Sequence, residues 1–434
     1  MKTEDITNWL SQLEPLAGSG STALYPKPTD NNQHQPPSPP ESRKRRQTMT
    51  DDSHPTPKRQ RVEDNASDVD DTPRASSSRR GRGYLQTASP TTSLPAPSES
   101  QSGQSQTSGR SSPLKQISSM ELYSDGFETR VLSLTTPTLP PVLSQLLMEL
   151  ENCSNGVGVI SSDLQEEIKE QAKRDLSLHV FLDYMFAAPA DRDQLGPTPS
   201  LDDVAYLVEE AAECQATTQS ESGWNMMVHH PLLYKAIYGC RRRNQIVGFA
   251  PCTTAKIIRE YLPTTSQAKM VDFCIYLMPE TEQIALNATK SLRRALPCNV
   301  INHTDIVSLR NRPIAVSIET KRRGGVQPAT AELQLGTWHA AQWKFLEDLV
   351  ARSGGSFDGL PFLPAIIVEG HHWSFAATTR EGQQTVLWLE KEFGSTSSLL
   401  GVYKAVWGLQ RLAQWAREVY WPWFRRNALG ILEG

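Results

Sequence analysis

Residues 312–321 read RPIAVSIETK, and this decapeptide decides the fold. Its short apolar run, with β-branched Ile314, Val316 and Ile318, reads as a strand. Side chains alternate along a strand, so Glu319 and Lys321 share one face while Ile318 and Thr320 take the other. Runs of the same texture lie on either side. Gln245–Ala250 and Lys269–Met278 precede it, and Phe362–Val368, Trp373–Thr378 and Gln384–Lys391 follow. Between them, residues 329–351 carry Leu333, Trp338, Ala341, Phe345 and Leu349 at helical spacing. Three strands, a long helix and further strands predict an α/β sandwich around a mixed sheet.

Working outward, residues 140–240 read as mostly helical. Pro140-Pro141 opens a helix with Val142, Leu143, Leu146, Leu147 and Leu150 inward, stopping near Gly156. Ser162 with Gln165 resembles a capping box, Ser200-Leu201-Asp202-Asp203 starts another helix, and a further one covers about 221–238. An amphipathic helix from Thr396 to about Tyr420 closes the body. The tryptophans Trp407, Trp415, Trp421 and Trp423 read as core at that spacing.

Charged groups on apolar strands need a reason, because burying unpaired charge is costly. Asp272 lies within the strand-like run Lys269–Met278, and Glu319 and Lys321 lie on the next strand. Two carboxylates plus water suit Mg²⁺ or Mn²⁺, and Lys321 is placed to orient a metal-activated water or to offset charge on a transferring phosphate. The adjacent pairs His229-His230 and His371-His372 cannot easily chelate one ion, since neighbours on a strand face opposite ways, and are expected in turns or core. The six cysteines are scattered singly with no C-x-x-C, which excludes a zinc knuckle or redox dithiol, and Cys274 reads as a small buried hydrophobe.

An Asp, then E-x-K on the following strand, then a helix resembles the PD-(D/E)XK (restriction-endonuclease-like) nuclease superfamily. The ordered series Trp224-Asn225 with Val228-His229, Lys269–Asp272, Arg312–Lys321, Gln334–Trp338, Pro361–Pro364, Gly370–Trp373 and Trp421–Trp423 is similar to a fungal branch of nuclease-like domain proteins, over roughly 220–425. The resemblance implies a restriction-endonuclease-like mixed β-sheet core flanked by helices. It also implies a metal site at Asp272 and Glu319 with Lys321 as catalytic partner, and Gln334 contacting the active-site carboxylate, a water or the substrate. Glu221 matches a position where some members supply a further acid. The long separation of Asp272 from Glu319 implies an insertion over about 280–311. Asp305 is the rival for the motif Asp, but it follows Asn302-His303-Thr304 in a turn-like context. Hence the expectation is a metal-dependent nuclease acting on nucleic acid, DNA first. The alternative is a catalytically silent nuclease-like fold that binds nucleic acid or protein.

Three segments are expected: a disordered basic, Ser/Pro-rich arm over 1–119 with a short amphipathic helix at 4–14, a helical prelude over 120–219, and the nuclease-like domain over 220–434. From Ala23 to about Ser119 large apolar side chains are almost absent, so the arm cannot offset its ordering entropy. Lys and Arg total 44 against 48 Asp and Glu, a near balance that excludes a polyanion-coating protein. Yet basic residues cluster at Arg43–Arg46 and Lys58–Arg61, resembling a bipartite signal read by a nuclear import receptor. Thr56-Pro57 abuts the second cluster, where a phosphate would add about −1.5 to −2 charge. No apolar run approaches the ~20 residues of a membrane helix, and Met1–Asp5 lacks the apolar stretch of a secretory signal. The expectation is therefore a soluble nuclear protein with no membrane partner.

Overall fold

In the computed structural model, residues 112–431 are described, except 241–244, 265, 267–269, 323 and 325–327. The amphipathic segment at 4–14 and both basic clusters lie outside the described residues. The expected boundary at 119 falls inside a helix, α1 (Pro113–Met120), which opens on a proline and buries Ile117 and Met120. Those two apolar side chains suffice to seat it beside the long helix described below. Next come β1 (Phe127–Val131), α2 (Pro141–Ser154), a small parallel pair β2 (Ile160–Ser161) and β3 (Phe186–Ala187), and the short helices α3 (Gln165–Ala172) and α4 (Pro189–Arg192). The Ser162–Leu164 turn carries no side-chain cap, so the expected capping box is not formed. Helix α5 (Leu201–Ala216) starts where Ser200 Oγ accepts the Asp203 N–H. The helix expected at 221–238 is one rod with a wide turn inside: α6 (Glu221–Trp224), a π-helical turn Asn225–His229, and α7 (His230–Tyr238).

The strands follow as β4 (Val247–Pro251), β5 (Phe273–Leu277), β6 (Ile314–Lys321), β7 (Leu363–Glu369), β8 (His372–Glu381) and β9 (Gln384–Ser395). Helix α8 (Gln283–Arg293) occupies the expected insertion, and α9 (Ala329–Ser353) joins β6 to β7. The chain closes with α10 (Leu399–Trp415), a second π-helical turn Ala416–Tyr420, and α11 (Trp421–Asn427). Among the described residues the large sheet has seven strands in the order β1-β9-β8-β7-β6-β5-β4. It is mixed, with β6∥β7 and β1∥β9 parallel and the other neighbours antiparallel. Strand β6 is interior to the sheet and buried along its whole length, which is why Ile314, Ala315, Val316 and Ile318 are apolar.

Helix α9 is sewn to the sheet by polar side chains as well as packed on it. Trp338 Nε1 donates to Ser317 Oγ (3.0 Å), Gln342 to the Ile314 carbonyl (2.9 Å) and Trp343 Nε1 to Thr378 Oγ1 (3.0 Å). On the sheet's other flank α10 approaches β9 so closely that only glycine fits at 394. A Cβ there would lie 2.5 Å from the Ala405 Cα, a backbone atom that cannot swing aside. Gly394→Ala is expected to cost about 2–3 kcal/mol by overpacking, read as a lowered midpoint in denaturant melts. An unchanged midpoint would show that α10 does not seat on β9 as described.

Candidate active site

The residues singled out on β6 end that strand at the carboxyl edge of the sheet. Lys321 pairs in register with Glu369 of β7, and the Gly370 N–H donates to the Lys321 carbonyl (2.7 Å). Strand β5 runs antiparallel to β6, so the residue just before it arrives at the same edge. That residue is Asp272. Its N–H donates to the Ile318 carbonyl (3.1 Å), carrying the ladder one step past the strand. Its Oδ2 then accepts the Thr320 N–H (2.9 Å), standing in for the carbonyl that β5 no longer supplies.

Glu319 is fully buried. Its Oε1 accepts from Lys321 Nζ at 2.5 Å, as their common face requires, while its Oε2 has no hydrogen-bond partner among the described residues. Lys321 Nζ also donates to the Thr320 carbonyl (2.9 Å) and stands 3.5 Å from Glu221 Oε2, contributed by the first turn of α6. Burial raises the Glu319 carboxyl well above the usual carboxylate range, neighbouring Asp272 raises it further, and Lys321 only partly offsets them. Burial pulls the Lys321 ammonium down, but Glu319, Glu221 and Asp272 outweigh it and the net shift is upward. Glu221 is itself raised, first by burial. The directions agree once the charges are counted. Three carboxylates share one ammonium, so the proton stays on Lys321 and the surplus negative charge makes the buried Glu319 carboxyl take up a proton more readily.

Asp272 is held on several sides. Besides the Thr320 N–H, the Thr320 hydroxyl lies 3.0 Å from Oδ2, and Asn225 Nδ2 donates to Oδ1 (3.3 Å). Asp305 is elsewhere: it is exposed and its Oδ1 accepts the Lys256 N–H (3.1 Å). Gln334 donates to the Met270 carbonyl (3.2 Å), two residues before Asp272, so it steadies the approach to the site and bonds none of its carboxylates. Of the histidine pairs, His229 and His371 are buried and hydrogen-bonded. Two participants were not read as such from sequence, Asn225 and Thr320. Sheet register brings Thr320 to Asp272, and only the folded π turn brings Asn225 there.

Among the described residues no three His, Cys, Asp or Glu side chains are grouped closely enough to hold an ion as they stand. The donor set nevertheless suits Mg²⁺, which takes one or two carboxylates and keeps several waters. The partnerless, fully buried Glu319 Oε2 beside Asp272 is a donor left for such an ion. No described helix is long and apolar enough to cross a membrane. A family model described as the PD-(D/E)XK nuclease superfamily matches residues 168–421, from within α3 to the start of α11. No curated protein and no solved structure gives a significant match.

Proposed function

The chain belongs to the PD-(D/E)XK nuclease superfamily, and on that premise we propose that Asp272, Glu319 and Lys321 form the site of a divalent-metal-dependent phosphodiesterase acting on nucleic acid, DNA first. The observation that carries the reading is the Glu319 carboxylate, buried without a partner on one oxygen and crowded by a second acid. A bound cation would relieve a buried carboxylate that has one bare oxygen and a second acid beside it. Asp272 and Glu319 would hold the ion, with Glu221 beside them. When bound, Mg²⁺ or Mn²⁺ polarises the phosphate and lowers the pKa of a coordinated water. Lys321 supplies the remaining chemistry. With Glu319 committed to the ion, its ammonium is free to face the charge that develops on the transferring phosphate.

The test is incubation of the purified chain with linear, nicked and single-stranded DNA, and with RNA, in Mg²⁺ or Mn²⁺, with EDTA as control. Metal-dependent cleavage of DNA is expected. One observation favours the silent-fold reading instead: Asp272 already accepts bonds from both the Thr320 backbone and Asn225. If nothing is cleaved and calorimetry shows no Mn²⁺ binding, that reading replaces ours.

The basic clusters at Arg43–Arg46 and Lys58–Arg61 support nuclear work. Replacing Lys58, Arg59 and Arg61 by Ala in a fluorescent fusion is expected to move it toward the cytoplasm, with Thr56→Glu giving a smaller shift the same way. Full nuclear accumulation after both clusters are replaced would sink this.

A further inference from the structure

We propose that Asn225 and His229, one π-helical turn apart, are positioning residues that fix the orientation of Asp272 and of the Thr320–Lys321 strand end. The catalytic consequence rests on the nuclease reading; the positioning itself does not. The π turn is written into the sequence. Pro231 lacks the N–H that the next α-helical bond would use, and a wider turn accommodates the gap. It brings His229 Nδ1 to 2.9 Å from Asn225 Oδ1. From there the contacts run in two directions. Asn225 Nδ2 donates to Asp272 Oδ1 (3.3 Å), and the Thr320 hydroxyl lies 2.8 Å from Asn225 Oδ1. On the other side His229 Nε2 lies 3.2 Å from the Gly370 carbonyl, and the Gly370 N–H holds the Lys321 carbonyl. The result is a closed polar ring through the ends of β5, β6 and β7, locked by the turn.

Core packing alone does not explain this ring. His229 is buried, stacked on Trp224 (centroids 5.7 Å) and edge-on to Trp373 (5.6 Å), a cage that an apolar ring would fill without desolvation cost. Instead both of its nitrogens face oxygens. A neutral imidazole has one N–H, so the ring donates to one and stands close to the other. Asn225 likewise spends its amide on Asp272, Thr320 and His229. A carboxylate fixed from the Thr320 and Asn225 sides presents its remaining lone pairs in a defined direction, as a reactive site requires.

The experiment uses the full chain and three variants. Asn225→Leu keeps volume and removes the polar links. His229→Leu removes both ring contacts, and His229→Asn keeps a polar group near the Nδ1 position that faces Asn225. Amide hydrogen exchange by mass spectrometry is read without metal at Thr320 and Gly370, alongside the melt, Mn²⁺ affinity by calorimetry, and kcat and KM on linear DNA. Asn225→Leu is expected to lose protection at Thr320 and His229→Leu at both amides, while the rest of the sheet keeps its protection and melts cooperatively. Mn²⁺ affinity and kcat are expected to fall about 10- to 100-fold with KM for DNA unchanged. His229→Asn is expected to recover Thr320 protection and part of kcat. Unchanged exchange at both amides in the folded Leu variants overturns the positioning. So does a lowered melt with Mn²⁺ affinity and kcat intact, which is what a merely structural role predicts. If exchange changes as expected but the wild-type chain neither binds Mn²⁺ nor cleaves, the positioning stands and the nuclease reading falls.

Discussion

Glu319→Gln is expected to reduce DNA cleavage by at least about 10³-fold while leaving the metal-free protein as stable as before, or more so. Glutamine keeps the shape of the side chain and still offers an oxygen to Lys321, so the 2.5 Å contact has a successor. What it removes is a charge that burial and Asp272 both penalise. Lys321→Ala acts oppositely on the fold. It strips the partner from Oε1 of a carboxylate whose Oε2 already lacks one, and breaking a buried pair from one side is costly. Activity is therefore lost in both variants, whereas stability separates them. Asp272→Asn is expected to lose cleavage and some stability, because its new amide would meet the Asn225 Nδ2 donor-to-donor. Asp305→Asn is expected to change cleavage little, since that carboxylate caps Lys256. Cleavage rates and denaturant midpoints in EDTA decide the matter. Loss of activity in Asp305→Asn with retention in Asp272→Asn would move the site, and retained activity in Glu319→Gln would abolish it.

What the residues disclosed in advance was the part of the fold that is locally consistent. Strand β6 declares itself by Ile314, Ala315, Val316 and Ile318, and helix α9 by apolar residues that recur at helical spacing along its length. Strand β1 did not. It reads FETRV, with three polar residues between two apolar ones, and pairs with β9 far along the chain. Its stability comes from contacts no local pattern reveals. Arg130 donates twice to Glu381 and lies over the Trp388 ring, and Phe127 is buried where Gly336 of α9 has no side chain. The site was legible to the same extent. Glu319 and Lys321 follow from strand alternation, and antiparallel pairing of β5 with β6 brings Asp272 to their end. Gln334, expected to contact the active-site carboxylate, a water or the substrate, bonds the Met270 carbonyl, because helical spacing places a residue on a face without saying which group that face meets. Asn225 and His229 were visible as a motif but not as a device, since an α-helical reading of 221–238 contains no π turn.

Acid is expected to unfold the protein steeply, through histidines held neutral. His229, His303 and His339 are all fully buried, and burial is the first cause that lowers each: His229 to about 4, His339 to about 3, and His303 well below its usual value. Neither His303 nitrogen has a hydrogen-bond partner among the described residues, and the ring stands edge-on to Trp338 at 4.4 Å. Above about pH 6.5 these rings are neutral in both states and the full stability is present. As the pH falls below that value, the unfolded chain takes up protons that the folded rings refuse, so stability is lost down to the folded values. Each histidine removes about 1.4 kcal/mol per pH unit. Glu319 and, more weakly, the partly exposed Glu221 work against this, because their raised folded values let the native state bind protons first. Unfolding still takes up protons net, and stability falls by a few kcal/mol from about pH 6.5 to 4.5. That is a large share of the ~5–15 kcal/mol a domain possesses. Denaturant midpoints in EDTA at about pH 7, 5.5 and 4.5 measure the slope. His339→Asn is expected to flatten it by about one proton, because the amide retains a partner for Thr378 and does not titrate. Glu319→Gln is expected to steepen it, since the opposing uptake disappears. A flat wild-type profile, or the same slope in all three proteins, would mean that these rings and this carboxyl are not buried as the fold requires.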